Sequence, residues 1–299
     1  MTSIAKPYLR ARMEAWDEAA WSLAALALAA SENSPPELTA AARELLAAAA
    51  GLTGPLSEPL PGLSLSDAGQ VASEAAATLH QASALVSGRG TSWSDQSDEA
   101  LLAQGNASAQ IAAAFARVLL PSMGDLSGRL AAPGARLLDI GTGVGALAVG
   151  FAEAFPQLAV LGIDVFDRAL ALARQTIADG GVDSRVTLRR QDVVEFADHD
   201  GFDLVWLPAP FIPQRALAAG LPRVAAALRP GGWLVAAHGK YDGTLVQNAL
   251  TRLKTIAYGG TPLDGQEASS LLRDAGLTAV RPVPTPPGAP AITVGQKPA

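Results

Sequence analysis

The sequence predicts an α/β fold: a doubly wound, mostly parallel sheet of seven strands, preceded by an all-α N-terminal region. Three observations carry this. From Ala135 onward apolar, β-like runs alternate with helical patterns, whereas up to Pro121 no stretch reads as a strand. A glycine cluster, GTGVG at Gly141–Gly145, follows the first of these strands, where such a sheet turns into its first helix.

The strand candidates are ARLLDI (135–140), LAVLGID (158–164), RVTLRRQ (185–191), FDLVWL (202–207) and GWLVAAH (232–238). AVGFAEAF, DRALALARQTIADGG and RALAAGLPRVAAALRPGG lie between them as helical patterns. LTAVRPV (277–283) and PAITVGQ (290–296) flank a Pro-rich turn and predict a closing hairpin.

Before the sheet, a first helix is expected from about Pro7 to Ala30, stopped by SENSPP. Pro35–Pro36 opens a second helix that Gly51 ends. After a turn-rich connection come a helix near Gln70–Ser87, the polar loop SGRGTSWSDQS, and one long helix from DEALLAQ to Pro121. The domain division expected is 1–100, a helical region serving as dimerisation surface and substrate lid, and 101–299, a ligand-binding catalytic domain.

Composition removes several classes of function. The chain has 299 residues, 49% of them hydrophobic and 17% charged, which describes a globular protein. With 22 Lys+Arg against 28 Asp+Glu the net charge is −6, and no basic run offers a nucleic-acid footprint. There is no cysteine, so disulfides, thiolate metal sites and cysteine nucleophiles are excluded. Ala19–Ala30 imitates a targeting segment but is too short to span a bilayer, and Glu14, Asp17 and Glu18 precede it where positive charge belongs. A cytoplasmic protein without membrane partners is expected. Alanine-rich helices with more apolar face than one layer covers predict a homodimer through residues 1–100.

The glycine loop alone fits a dinucleotide fingerprint as well as other nucleoside ligands. Asp139, two residues before Gly141, separates them. A carboxylate beside the loop repels a pyrophosphate but suits a ligand carrying an ammonium and a sulfonium. Asp164 ends the second strand, where a carboxylate accepts both ribose hydroxyls of either cofactor. Asp192, after the third strand, is placed to accept an adenine amino group, with the Val193 backbone beside it.

Three acids after three consecutive strands resemble the class I S-adenosylmethionine-dependent methyltransferases. The resemblance rests on DIGTGVG (Asp139–Gly145), GID (Gly162–Asp164), QDV (Gln191–Val193) and LRPGG (Leu228–Gly232) and extends over roughly Leu101–Ala299. LAQGNASAQ resembles the small-molecule members with a helical N-terminal extension. The resemblance implies a Rossmann-like fold and S-adenosyl-L-methionine as cofactor. It would be held by Asp139, Gly141, Thr142, Gly143, Gly145, Asp164, Val165, Asp192, Val193 and Leu207.

The acceptor side is less polar. LPAPFIP (207–213) follows the fourth strand, with Leu207 where base N-methyltransferases place Asn, Asp or Ser, and an alanine splits the prolines. No carboxylate stands there for Mg²⁺, so no metal is expected. Trp93, Gln104, Phe211 and Tyr241 are expected to shape a small-molecule pocket. His238, the one histidine at the carboxyl end of a strand, is the candidate base for a hydroxyl acceptor, although related plant-type enzymes place theirs after strand four. The expected reaction is O-methylation of a small metabolite. A cofactor-binding protein that does not methylate (a cyclase or scaffold) and an NAD(P)-dependent oxidoreductase are the alternatives.

Overall fold

The computed structural model describes residues 19–26, 36–49, 65–87, 93–109, 111–285 and 289–299. Contacts divide the chain into two units, Met1–Ser87 and Gly88–Ala299, a boundary ahead of the 100/101 division read from the sequence.

In the first unit, helical residues 19–26 (α1) precede α2 (Pro36–Ala49) and α3 (Leu65–Val86). Ala25 packs with Ala42 and Leu46 in a small core. Most of the first expected helix, Pro7–Ala30, lies outside the described residues.

The second unit is built on one sheet: β1 (Arg136–Ile140), β2 (Ala159–Asp164), β3 (Val186–Arg190), β4 (Phe202–Pro208), β5 (Leu228–His238), β6 (Thr278–Val283) and β7 (Ala291–Gln296), in the order β3-β2-β1-β4-β5-β7-β6. The first five strands pair in parallel, while β7 runs antiparallel to both β5 and β6. Every residue of β4 is buried, because helices cover both faces and neither can be polar. Leu204 and Trp206 join one core with Phe115, Phe151 and Trp233; Val205 and Leu207 join the other with Leu138, Leu217 and Leu272.

The helices of this unit are α4 (Asp98–Ser108), α5 (Ile111–Ala114), α6 (Leu126–Ala131), α7 (Ala146–Ala154), α8 (Asp167–Asp179), α9 (Gln214–Ala227), α10 (Leu245–Ala257) and α11 (Gly265–Asp274). The sheet reverses its strand order between β1 and β4, the switch point outside which α/β sheets bind ligands.

Two expectations need correction, and two helices were not foreseen. The single helix expected up to Pro121 is broken: Ala109 caps α4, and Phe115–Leu119 winds as a π-helix. Helix packing explains the break, since α4 and α5 lie against α7 so closely that a Cβ on Gly150 would stand 2.7 Å from the Ala109 carbonyl. LRPGG does not precede β5 but begins it, with a register shift opposite Phe202 and Leu204. Helices α10 and α11 were not anticipated. Each starts on a capping box, Thr244 with Gln247 and Asp264 with Glu267, a signal present in the sequence. Among the described residues no helix is long and apolar enough to cross a membrane.

Candidate functional site

β1 carries Asp139 to its carboxyl end, and the chain then turns through Gly141, Gly143 and Gly145 at φ +64°, +56° and +78°. Only glycine adopts such angles without strain, and the run lets backbone N–H groups line a tight loop before α7. The Thr142 N–H donates to the Ile163 carbonyl at 3.0 Å, so the loop lies over the end of β2. Gly162 permits this: a Cβ there would stand 2.7 Å from Thr142 Oγ1.

The two acids therefore come together. Thr142 Oγ1 donates to Asp139 Oδ2 at 2.7 Å, and the Gly143 N–H donates to Asp164 Oδ2 at 2.9 Å. The Phe166 N–H donates to Asp164 Oδ1 at 3.0 Å. Burial raises the Asp139 carboxyl to about 7; the Thr142 hydroxyl opposes the shift and neighbouring Asp164 adds to it. Burial also raises Asp164, against the N–H groups it accepts. Among the described residues neither acid has an ion-pair partner. A buried carboxylate pair without a cation is costly, and a cationic ligand offsets that cost. This donor set fits an adenosyl ligand bearing an ammonium and a sulfonium and misfits a pyrophosphate.

The other cofactor candidates are placed as follows. Val165 is exposed beside Asp164, with Val165 and Phe166 lining a cavity of about 290 Å³. Asp192 accepts from the Val194 N–H at 3.0 Å as the cap of a short 3₁₀ turn, leaving its second oxygen for a ligand. The Val193 side chain packs into the core against Gly220. Leu207 is also buried in that core, so only its backbone is available to a ligand.

Of the acceptor candidates, Trp93 and Phe211 come together at 5.3 Å between ring centroids. Tyr258 completes the cluster, 5.5 Å from Trp93 and stacked on Phe211 at 5.1 Å and 24°. Sequence reasoning missed Tyr258. Burial raises its hydroxyl to about 12, which keeps it a donor. Tyr241 stands outside these ring contacts, folded over Gly239, where a Cβ would lie 2.5 Å from its ring. Gln104 sits on α4 next to Gly105, which faces Val144 of the glycine loop so closely that a Cβ there would overlap the valine.

His238 is buried with both ring nitrogens engaged: Nδ1 with the Gly239 carbonyl at 3.0 Å and Nε2 with Thr293 Oγ1 at 2.9 Å. The carbonyl only accepts, so Nδ1 carries the hydrogen and Nε2 accepts from Thr293. Burial lowers the imidazole's pKa and keeps it neutral. In this arrangement the ring pins β5 to β7, and it reaches an acceptor only by giving up Thr293.

Residues 137–232 match the family described as "Methyltransferase domain". A release factor glutamine methyltransferase from Gloeobacter violaceus is 37% identical over 91 residues, 30% of this chain and 32% of that protein. The chain thus spans about a third of that relative's length. Human N-acetylserotonin methyltransferase in complex with SAM superposes with a TM-score of 0.64 at 16% identity, over 100% of this chain and 99% of that one. An O-methyltransferase family protein from Burkholderia thailandensis gives 0.62 at 18% identity, over 100% and 99%. The fold is that of the Rossmann-like methyltransferases. The match to a methyltransferase domain is thus carried by residues 137–232, on a fold shared with these solved structures.

Proposed function

We propose that this protein moves a methyl group from S-adenosylmethionine to a small-molecule acceptor, most simply to a hydroxyl. The observation that carries this reading is the pair Asp139 and Asp164, buried around a positive-φ glycine loop and lacking a cation of their own. When bound, the cofactor supplies a methyl group already activated by the sulfonium. Asp139 answers the ammonium, Asp164 the ribose hydroxyls, and Asp192 with Val193 the adenine edge. The protein's remaining task is alignment and exclusion of water. Phe211, Trp93 and Tyr258 supply an apolar wall for that, with Gln104 and Tyr241 as further acceptor contacts. If the acceptor is a hydroxyl, its proton passes to His238 only when Nε2 exchanges Thr293 for the acceptor.

The relative's name favours a second reading, methylation of a glutamine amide. A weakly nucleophilic amide nitrogen needs a polar side chain to hold it, and Leu207–Ile212 provides none at the end of β4. The hydroxyl reading is therefore preferred, as it also fits the named activity of the Burkholderia protein. The test is conversion of S-adenosylmethionine to S-adenosylhomocysteine with phenolic hydroxyls and, separately, with a glutamine-containing peptide. Turnover with the peptide alone would overturn the preference.

We also propose that the helical region makes a homodimer, supported by Trp21, 63% exposed in α1, and by exposed Leu85 in α3. A monomer at micromolar concentration by light scattering would overturn it.

A further inference from the structure

We propose that Trp93 is a shared wall between the cofactor cleft and the acceptor wall, a positioning residue through which a filled cofactor cleft tightens binding of a flat acceptor. The proposal rests on the methyltransferase reading above. Three contacts and one unsatisfied donor meet at this side chain. Trp93 lines the same cavity as Val165 and Phe166, the two residues after Asp164. It packs against the small buried cluster formed by Leu101, Val144 of the glycine loop and Ala146, the first residue of α7. Its ring touches Phe211 and Tyr258 on the acceptor side. Among the described residues its buried Nε1 has no hydrogen-bond partner, a donor that a ligand oxygen would satisfy.

The two flanks of Trp93 differ in firmness. The Phe211–Tyr258 platform is locked from behind. The Thr261 N–H donates to the Ala209 carbonyl at 3.1 Å and Thr261 Oγ1 to the Ile212 carbonyl at 2.8 Å. Gly260 lets the chain pass against Pro210, where any Cβ would overlap the Pro210 carbonyl. Trp93 itself stands on a single 3₁₀ turn, Trp93–Asp95, held to the sheet domain by lighter ties. Ser97 caps α4, and Asp98 pairs with Arg168 of α8 at 3.2 Å, both side chains about half exposed. An exposed pair of this kind holds weakly. The wall is therefore the adjustable part of the site, and it leans on the cofactor side. A ligand packed beside Val165 and Phe166 takes rotamer freedom from the indole, and an acceptor arriving afterwards loses less entropy in ordering it.

The test uses calorimetry with 2-naphthol as a flat hydroxyl probe, with and without saturating S-adenosylhomocysteine. Coupling of this kind is worth roughly five- to 150-fold, so the wild type should bind naphthol at least about fivefold tighter when S-adenosylhomocysteine is present. In Trp93→Ala that ratio, measured at a concentration of S-adenosylhomocysteine that saturates the variant, should fall below about twofold. Trp93→Phe keeps a ring without the N–H and should give an intermediate ratio, and it serves where the alanine variant fails to fold. A full ratio retained in both variants, or no ratio in the wild type, overturns the proposal. If S-adenosylhomocysteine does not bind the wild type at all, the cofactor reading falls first and takes the proposal with it. Binding with an unchanged variant ratio removes the wall alone.

Discussion

At the amino end of β4, Asp203 is buried among base: Arg229 at 2.6 Å, Arg129 at 3.7 Å, and the backbone N–H of Arg136 at 3.0 Å. At the carboxyl ends of β1 and β2, Asp139 and Asp164 are also buried, yet among the described residues they face hydroxyl and N–H groups and no cation. The same side chain at opposite ends of one sheet thus meets opposite fates. Asp203 is neutralised from within the chain and holds the chain together. The other two have hydrogen bonds alone among the described residues, and burial raises both, Asp139 to about 7; the proposed ligand would bring the positive charge they lack.

The largest effect expected from this contrast is at Asp164. Asp164→Ala removes charge-assisted hydrogen bonds worth roughly 1.5–3 kcal/mol each, so S-adenosylhomocysteine affinity by calorimetry should fall at least about tenfold while the fold survives. Unchanged affinity would break the comparison at its ligand end.

Asp203→Ala should do the reverse. Thermal melting should show a loss of about 1–3 kcal/mol, limited because the freed arginines reach water, with S-adenosylhomocysteine affinity within about twofold. A matching loss of affinity would erase the distinction between the two ends.

Asp139 sharpens the contrast through pH. Its folded-state pKa of about 7 stands above the ordinary 3.8, so the folded protein keeps a proton that the unfolded chain releases. Ligand-free stability should therefore decline as pH rises from about 4 to about 7. A cationic ligand needs the charged form, so S-adenosylhomocysteine affinity should climb as pH passes from about 6 to about 8, by up to about tenfold. Asp139→Asn should flatten both trends, and a pH-independent wild type would remove Asp139 from the cation's surroundings.

The smallest change is expected at His238. As a pin between β5 and β7, its loss in His238→Ala should cost about 1 kcal/mol, with kcat within about threefold at saturating cofactor. A base would cost about 10²–10⁴. The sign of the pH effect is opposite to that of Asp139. Burial lowers the imidazole's pKa, so the unfolded chain takes up a proton near 6.5 that the folded ring refuses, and stability is lost as pH falls below that value.

What the sequence made legible was set by local grammar. Strands bounded by turn residues, and acids at their carboxyl ends, can be read one element at a time, and Asp139, the glycines and Asp164 do meet in the structure. Tyr258 could not be read that way. It stacks on Phe211 across the fold, from the end of a helix whose local marks, the Thr244–Gln247 capping box and the Gly259–Gly260 pair, say nothing of that partner. Asp192 shows the converse: its position after β3 was right, but one oxygen is spent on capping a turn. His238 lies at the strand end where it was expected, while its engagement with Thr293 depends on β7, some fifty residues away in sequence.

The placement of β7 also bears on how the sheet is held together. β6 is synthesised before β7, yet its sheet neighbour is β7, which in turn lies between it and β5. The five parallel strands pair among themselves without β6, whereas among the described residues β6 has no strand neighbour but β7. The far edge of the sheet therefore depends on Ala291–Gln296 alone, which joins β6 to the other strands.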